Sequence, residues 1–267
     1  MSQVTLKCEI NDNYYVENAL LQGKEIPKDR ESARKLLKVC QEILPELSGK
    51  DLTDYRKEKW IHDYLVETVS YGFMDKDTGE DSKAYTSYGA LVDRKAVCNG
   101  YAEAMKLLCD LTGISCEMVS GTADGENHAW NMVRLEDHWY HVDATWDDPE
   151  PDEPGRILYH YFNVSDDFIS SNHSWEKAGS DQADSMDYNY FVINNLVCDD
   201  YNAFRELCED LFRKDNPNQV QILVKDYEED RYSEDNLGFL FALSGAGQMN
   251  VQTVGKKPDV SLYITMY

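Results

Sequence analysis

The chain has 267 residues, enough for one large domain or a main domain with a smaller satellite, and its 42% hydrophobic content argues against a disordered chain. With 50 acidic against 26 basic residues the net charge is −24, a field that repels phosphate backbones and anionic bilayers, so neither nucleic acid nor membrane is an expected partner. Seven cysteines, odd in number and without a CxxC pair, argue against a disulfide framework and a structural zinc site and suit a reducing compartment.

The first residues, "MSQVTLKCEINDNYY", carry no basic region followed by an apolar one. A cytoplasmic location is expected of the sequence as it stands, and a secreted or surface one of a chain preceded by a leader. No run of about eighteen apolar residues occurs. "VTLKCEI" (4–10) alternates as a strand, and "KDRESARKLLKVCQEILPEL" has helical spacing up to Pro45. "LTDYRKEKWIHDYLVETVSYG" predicts a second helix with Thr53 as N-cap, Gly72 as its end and Trp60, Tyr64, Val66 and Val69 as its buried stripe. His62 reads as a surface or packing histidine. The segment 74–97 reads as a long loop holding one helical turn. "CNGYAEAMKLLCDLTG" is a helix from Cys98 to Gly113, and 115–121 is a strand.

"HAWNMVRL" and "HWYHVDATW" read as a hairpin about Glu136-Asp137, with Asp137 in the left-handed conformation. "DDPEPDEPGR" (147–156) is an acidic, proline-rich loop without EF-hand spacing, expected to be solvated. "YFNVSDDFISSNHSW" reads as a strand and then a turn or helix. Beyond a linker-like stretch at 180–187 come a hairpin about Asn194-Asn195, a helix in "YNAFRELCEDLFRKD", a strand in "QVQILVK", a helix in "SEDNLGFLFALSGAG" and two closing strands. The expected organisation is an N-terminal strand-and-helix extension over 1–50, a core over 51–180 and a small α+β module over 186–267 that the chemistry does not need.

A thiol at a helix start is either a small buried hydrophobe or a nucleophile whose pKa the helix terminus lowers. The hairpin points to the second. If Leu135 faces His138, then Trp130 faces Asp143, and His128 lies diagonally from Asp143 on one face of the sheet. A histidine oriented by a carboxylate and turned to a thiolate is the machinery of nucleophilic acyl transfer. Cys98, His128 and Asp143 are therefore the candidate catalytic residues, with no cofactor and no metal.

The blocks "AVCNGYAEAMKLLCDLTGI", "NHAWNMV" and "HWYHVDATWDD" resemble the transglutaminase-like superfamily, and the resemblance extends over about 50–178. "IHDYLVETVSY" and "SDDFISSNHSW" look like its bacterial members. Ala96 and Glu136-Asp137 stand where the family usually has glycine and Asp-Gly. The resemblance implies an α+β, papain-like fold in which a cysteine-bearing helix packs on an antiparallel sheet. It places nucleophile, base and orienting acid on Cys98, His128 and Asp143, and implies a protein or peptide amide as substrate.

Other candidates are Trp130 and Trp146, which would shield the site, line an acyl groove or simply pack in the core, and Tyr88 as an oxyanion donor. His141 points to the same face as Asp143, but a metal site needs more ligands. Cys40, Cys109, Cys116 and Cys208 read as core. The expected function is thiol-dependent cross-linking or deamidation. A cysteine peptidase with the same three residues and an inactive peptide-binding module are the alternatives. The sequence carries no signal for an oligomeric state.

Overall fold

In the computed structural model, residues 10–49, 52–74, 82–148, 151, 153, 155–176 and 182–267 are described. The strand expected over 4–10 lies outside them except for Ile10, as do Cys8, Glu150 and Asp152.

The described residues begin with a helix that its sequence pattern does not announce. In α1 (Asp12–Gln22) the Asn11 side chain accepts from the Asn13 N–H and Gly23 closes the helix at φ 67, but only Val16 is fully buried. Helix α2 (Glu31–Ile43) turns Ala33, Leu36, Cys40 and Ile43 inward at helical spacing. Helix α3 (Asp54–Thr68) is capped by Thr53, as expected. Its buried face, however, is Glu58, Ile61, His62, Leu65 and Val66. Trp60 and Tyr64 are half-buried and stack on each other at 5.0 Å. Val66 and Val69 are buried as expected, while Glu58 and His62, each with a partner inside, take the inward positions expected of Trp60 and Tyr64.

The segment before Cys98 is more ordered than a loop. A short parallel pair, β1 (Ser70–Tyr71) with β2 (Lys95–Ala96), brackets a 3-10 turn over Ser82–Tyr85 and a π turn over Gly89–Asp93. Helix α4 (Cys98–Thr112) follows and ends at Gly113 with φ 81. Val97 N–H donates to Ala84 O at 2.9 Å, and a Cβ at Gly100 would collide with that same carbonyl. The start of α4 is thus pressed against residues 84–86, which fixes where the helix opens.

Helix α4 packs on β3 (Cys116–Ala123) and β4 (Glu126–Leu135). With β5 (His138–Val142), β6 (Phe162–Val164) and β7 (His173–Trp175) these make an antiparallel sheet of order β6-β5-β4-β3-β7. Leu135 pairs with His138, the register expected from the turn. The left-handed residue in that turn is Glu136 (φ 53) rather than Asp137, and Glu136 is held there by the Tyr188 hydroxyl at 2.9 Å. The mixed helix and antiparallel-sheet architecture is that of an α+β, papain/transglutaminase-like core.

A one-turn helix, α5 (Asp166–Ile169), precedes β7, and a second, α6 (Tyr190–Ile193), replaces the first strand of the hairpin expected about Asn194-Asn195. Asn189 caps α6, and Asn195 at φ 54 turns the chain into β8 (Val197–Cys198), which runs parallel to β9 (Gln219–Val224). Helix α7 (Tyr201–Lys214) lies between them in sequence. The helix expected over 233–247 is split at Gly238 into α8 (Glu234–Leu237) and α9 (Phe239–Ser244). Strands β10 (Met249–Val254) and β11 (Val260–Met266) complete a second sheet of order β10-β11-β9-β8.

The two sheets have distinct apolar clusters. The first gathers Val16, Leu36, Cys40, Ile61, Leu65, Tyr101, Met105, Val133 and Phe162, so α1 and α2 belong to the same core as α4. The second gathers Phe204, Cys208, Ile222, Leu240 and Ile264. Phe191 and Leu223, though beyond the linker-like stretch, lie in the first cluster. Polar contacts also join the two parts: His160 Nδ1 to Ser261 Oγ at 2.6 Å, Gln221 Nε2 to Ile157 O at 2.6 Å, Arg156 to Gln252, and Lys256 to Asp124. Among the described residues no helix is long and apolar enough to cross a membrane.

Candidate active site

Three elements converge at the first turn of α4. Cys98 opens the helix behind Val97, which offers no side-chain cap; the N–H groups of Gly100 and Tyr101 turn back to the Val97 carbonyl at 2.8 and 3.2 Å, and that of Asn99 acts on the thiol. His128 stands on β4 opposite Gly121 of β3, and Asp143 follows the last residue of β5. The diagonal relation read from the hairpin is met: His128 Nε2 lies 2.6 Å from Asp143 Oδ2. The ring's other nitrogen, Nδ1, is the one left for Cys98, whose thiol is the nearby acidic group that this imidazole acts on.

The electrostatics follow from these contacts. Burial alone would raise the Cys98 thiol. The hydrogen bond and charge of His128, with the N–H groups of Ala129 and Asn99, bring it below the ordinary value of 9.0. Burial disfavours charge on His128 as well, yet the charge of Asp143, its hydrogen bond and the thiol outweigh it and lift the imidazole to about 10. Asp143 is buried, but the charge and hydrogen bond of His128, with a hydrogen bond from His173, hold its carboxyl well below the usual carboxylate range. Each of these shifts favours the charged form: thiolate, imidazolium and carboxylate. The other described cysteines are buried; burial pushes Cys40 and Cys198 up to about 12 and raises Cys208 further.

Trp130 and Trp146 both flank the imidazole, at 5.9 and 5.8 Å between ring centroids. Trp130 is buried and donates from Nε1 to His141 Nδ1 at 2.9 Å, whereas Trp146 is half-buried. Tyr88 sits in the first apolar cluster with the Lys83 ammonium 4.4 Å from its ring centre. His141 is spent internally: with Nδ1 accepting from Trp130, its Nε2–H donates to Asp166 Oδ1 at 2.9 Å.

Two residues near the site were not legible in the pattern. His173, on the three-residue strand β7, places Nε2 3.1 Å from Asp143 Oδ2. Of the surface and packing roles left open for His62 the buried one holds, with Nδ1 3.1 Å from Asp63 and Nε2 3.2 Å from Asp147. Burial opposes charge on this ring, but its bonds to Asp147 and Asp63 lift it to about 9. Asp147 also accepts the Tyr161 N–H, and Asp148 is bonded to the Tyr101 hydroxyl. The acidic loop therefore begins with two buried carboxylates and is not simply solvated, because aromatic and imidazole donors meet it from beneath.

Ligand atoms of His128, Asp143 and His173 lie within 4.8 Å of one another, the arrangement that would hold an ion if these residues bound one. The 2.6 Å separation of His128 from Asp143 suits a shared proton better, since two ligands on one zinc ion stand about 3.3 Å apart.

Residues 41–144 match the family model of the transglutaminase-like superfamily. Over 117 residues, 39% of this chain, it is 28% identical to Kyphoscoliosis peptidase of Homo sapiens and 26% identical to that of Mus musculus. The match spans 18% of the length of each of those proteins. Among solved structures, the crystal structure of a TGase aligns over 52% of this chain and 38% of its own, with 17% identity and a TM-score of 0.37.

Proposed function

Since residues 41–144 belong to the transglutaminase-like superfamily, we propose that the protein is a thiol-dependent acyl-transfer enzyme acting on protein or peptide amides. The observation that supports this reading is a histidine bonded through Nε2 to a buried carboxylate at 2.6 Å, whose charge acts on the thiol at the start of α4. The Cys98 thiolate attacks the amide carbonyl and forms the S–C bond. The N–H groups at the very start of α4, ahead of those that Val97 O already accepts, receive the developing oxyanion. The tetrahedral centre then collapses, the C–N bond breaks, and His128 Nδ1–H protonates the departing amine. Neutral His128 next takes a proton from water or from an amine, which attacks the thioester and returns the thiol. Asp143 keeps the imidazole in the tautomer and orientation that serve both steps.

An amine acceptor gives cross-linking, water on a glutamine side chain gives deamidation, and water on a main-chain amide gives peptide cleavage. The peptidase reading has its own support in the name carried by the human and mouse relatives. Trp146, half-buried beside His128, is the side chain placed to bear on the substrate near the thioester. The test is mass spectrometry of a peptide library incubated with the wild type and Cys98→Ala. Loss of ammonia with joining of two peptides marks cross-linking, a gain of one mass unit marks deamidation, and new termini mark cleavage. Retention of peptides without any mass change would make the protein a binding module and refute turnover.

A further inference from the structure

Asp143 is 1% exposed, and donors surround its carboxylate. Oδ1 accepts the N–H groups of Thr145 and Trp146 at 3.0 and 3.2 Å. Oδ2 meets His128 Nε2 at 2.6 Å and His173 Nε2 at 3.1 Å. A carboxylate offers about four lone-pair positions, so these four partners fill it. An unprotonated nitrogen facing that oxygen would be repelled, so His173 presents Nε2–H.

His173 is itself held in place. Its Nδ1 lies 2.7 Å from Asn172 Oδ1, and the Asn172 amide reaches the Tyr161 hydroxyl at 2.5 Å. The rings of Trp130, Trp146 and Tyr161 pack around it at 5.0, 4.8 and 5.3 Å. Its strand is fixed against β3 by the pairs Gly121–Trp175, Thr122–Ser174 and Ala123–His173. At Gly121 a Cβ would collide with Ser174 O and stand 2.9 Å from the Trp130 ring, so the close approach of β7 depends on glycine there.

We infer that His173 is a positioning residue: its Nε2–H pins the Asp143 carboxylate in the orientation that keeps His128 turned toward Cys98, so the working unit is four side chains rather than three. The N–H groups of Thr145 and Trp146 hold Oδ1, but an Oδ2 bound by His128 alone can still shift with that ring. A second donor on the same oxygen, anchored in a separate strand, removes this freedom. The inference rests on the acyl-transfer reading above for its functional meaning, while the contact itself can be tested apart from it.

The test uses the full chain and iodoacetamide, with peptide mapping of every cysteine from about pH 5 to about pH 9. His173→Phe keeps the ring volume and removes the donor; His173→Gln keeps an N–H at similar reach. The expected result is alkylation of Cys98 slowed about tenfold in His173→Phe at about pH 6, with the midpoint of the pH profile moved upward, and recovery to within about threefold in His173→Gln. Both variants should otherwise keep the wild-type circular dichroism. An unchanged rate and midpoint in His173→Phe, or equal slowing in both variants, would overturn the inference and leave His173 a packing residue. If His173→Phe does not fold, imidazole nitrogen NMR of the wild type decides. A proton on His173 Nε2 supports the contact, while an unprotonated Nε2, or loss of that proton on adding one equivalent of zinc, overturns it. Wild-type Cys98 reacting no faster than the other cysteines would instead refute the acyl-transfer reading, whatever the NMR shows.

Discussion

Asp143→Asn should disable the thiol without disturbing the shape of the site. The amide oxygen can still accept the N–H groups of Thr145 and Trp146. The amide nitrogen then faces His128 and His173, so donor meets donor where an acceptor stood. To avoid that clash His128 must carry its proton on Nδ1, the nitrogen that faces Cys98, and the thiol loses its acceptor. The size of the effect can be worked from the imidazole. Raising it from 6.5 to about 10 is worth about 5 kcal/mol in favour of the imidazolium. Asp143 supplies the two largest favourable contributions and Cys98 the smaller ones. More than half should therefore vanish with the charge, about 3 kcal/mol or roughly a hundredfold in the thiolate population. Iodoacetamide alkylation of Cys98 at about pH 6 should slow by that factor, and the midpoint of its pH profile should move upward. A variant that is folded, reacts within about threefold of wild type and keeps the same midpoint would refute the reasoning.

Gly121→Ala should push β7 off β3, costing about 1–3 kcal/mol in unfolding experiments and slowing alkylation of Cys98, because the added Cβ collides with Ser174 O; wild-type values for both would show that β7 yields freely. Stability should fall on the alkaline side. Burial lifts Glu58 to about 8 and partners lift His62 to about 9, so the Glu58 contribution is fully present below about pH 4.5, that of His62 below about 6.5, and each is lost as pH rises through its folded value. Glu58→Gln should flatten the fall of unfolding free energy between about pH 5 and about pH 8 by up to about 1.4 kcal/mol per pH unit, and an unchanged slope in denaturant melts would refute the assignment. A chain ending at Ser185 should bind a hydrophobic dye and lose its cooperative melt, since it strips Phe191 and Leu223 from the first core; a sharp transition would show that core to be self-sufficient.

The hairpin that brings His128 to Asp143 was legible because a two-residue turn fixes the register, and parity then fixes the face. The helix start at Cys98 was legible from the apolar spacing behind it. His173 was not. It joins the sheet through a pairing 50 positions away in sequence, Ala123 with His173, on a strand too short to show alternation. For His62 the pattern could not choose between a surface and a packing role. Hydrophobic periodicity assigns the inward face to Trp60 and Tyr64, and it is blind to an imidazole whose burial is offset by two carboxylates. The segment "YNYFVINN" is rich in strand formers, but an Asn189 cap and the left-handed Asn195 make it a single helical turn.

The seam between the two sheets bears on how such chains can be recombined. Gly255, at φ 89, lies so close under the His160 ring that any Cβ there would collide with it, and Ser261 binds the same ring from the next strand. Burial drives that imidazole down to about 3, so it stays neutral. A chimera crossed over between residues 182 and 189 would inherit position 160 from one parent and positions 255 and 261 from the other. Viable hybrids must therefore co-inherit all three, and a shuffled library should show them travelling together even though nearly a hundred residues separate the first from the second.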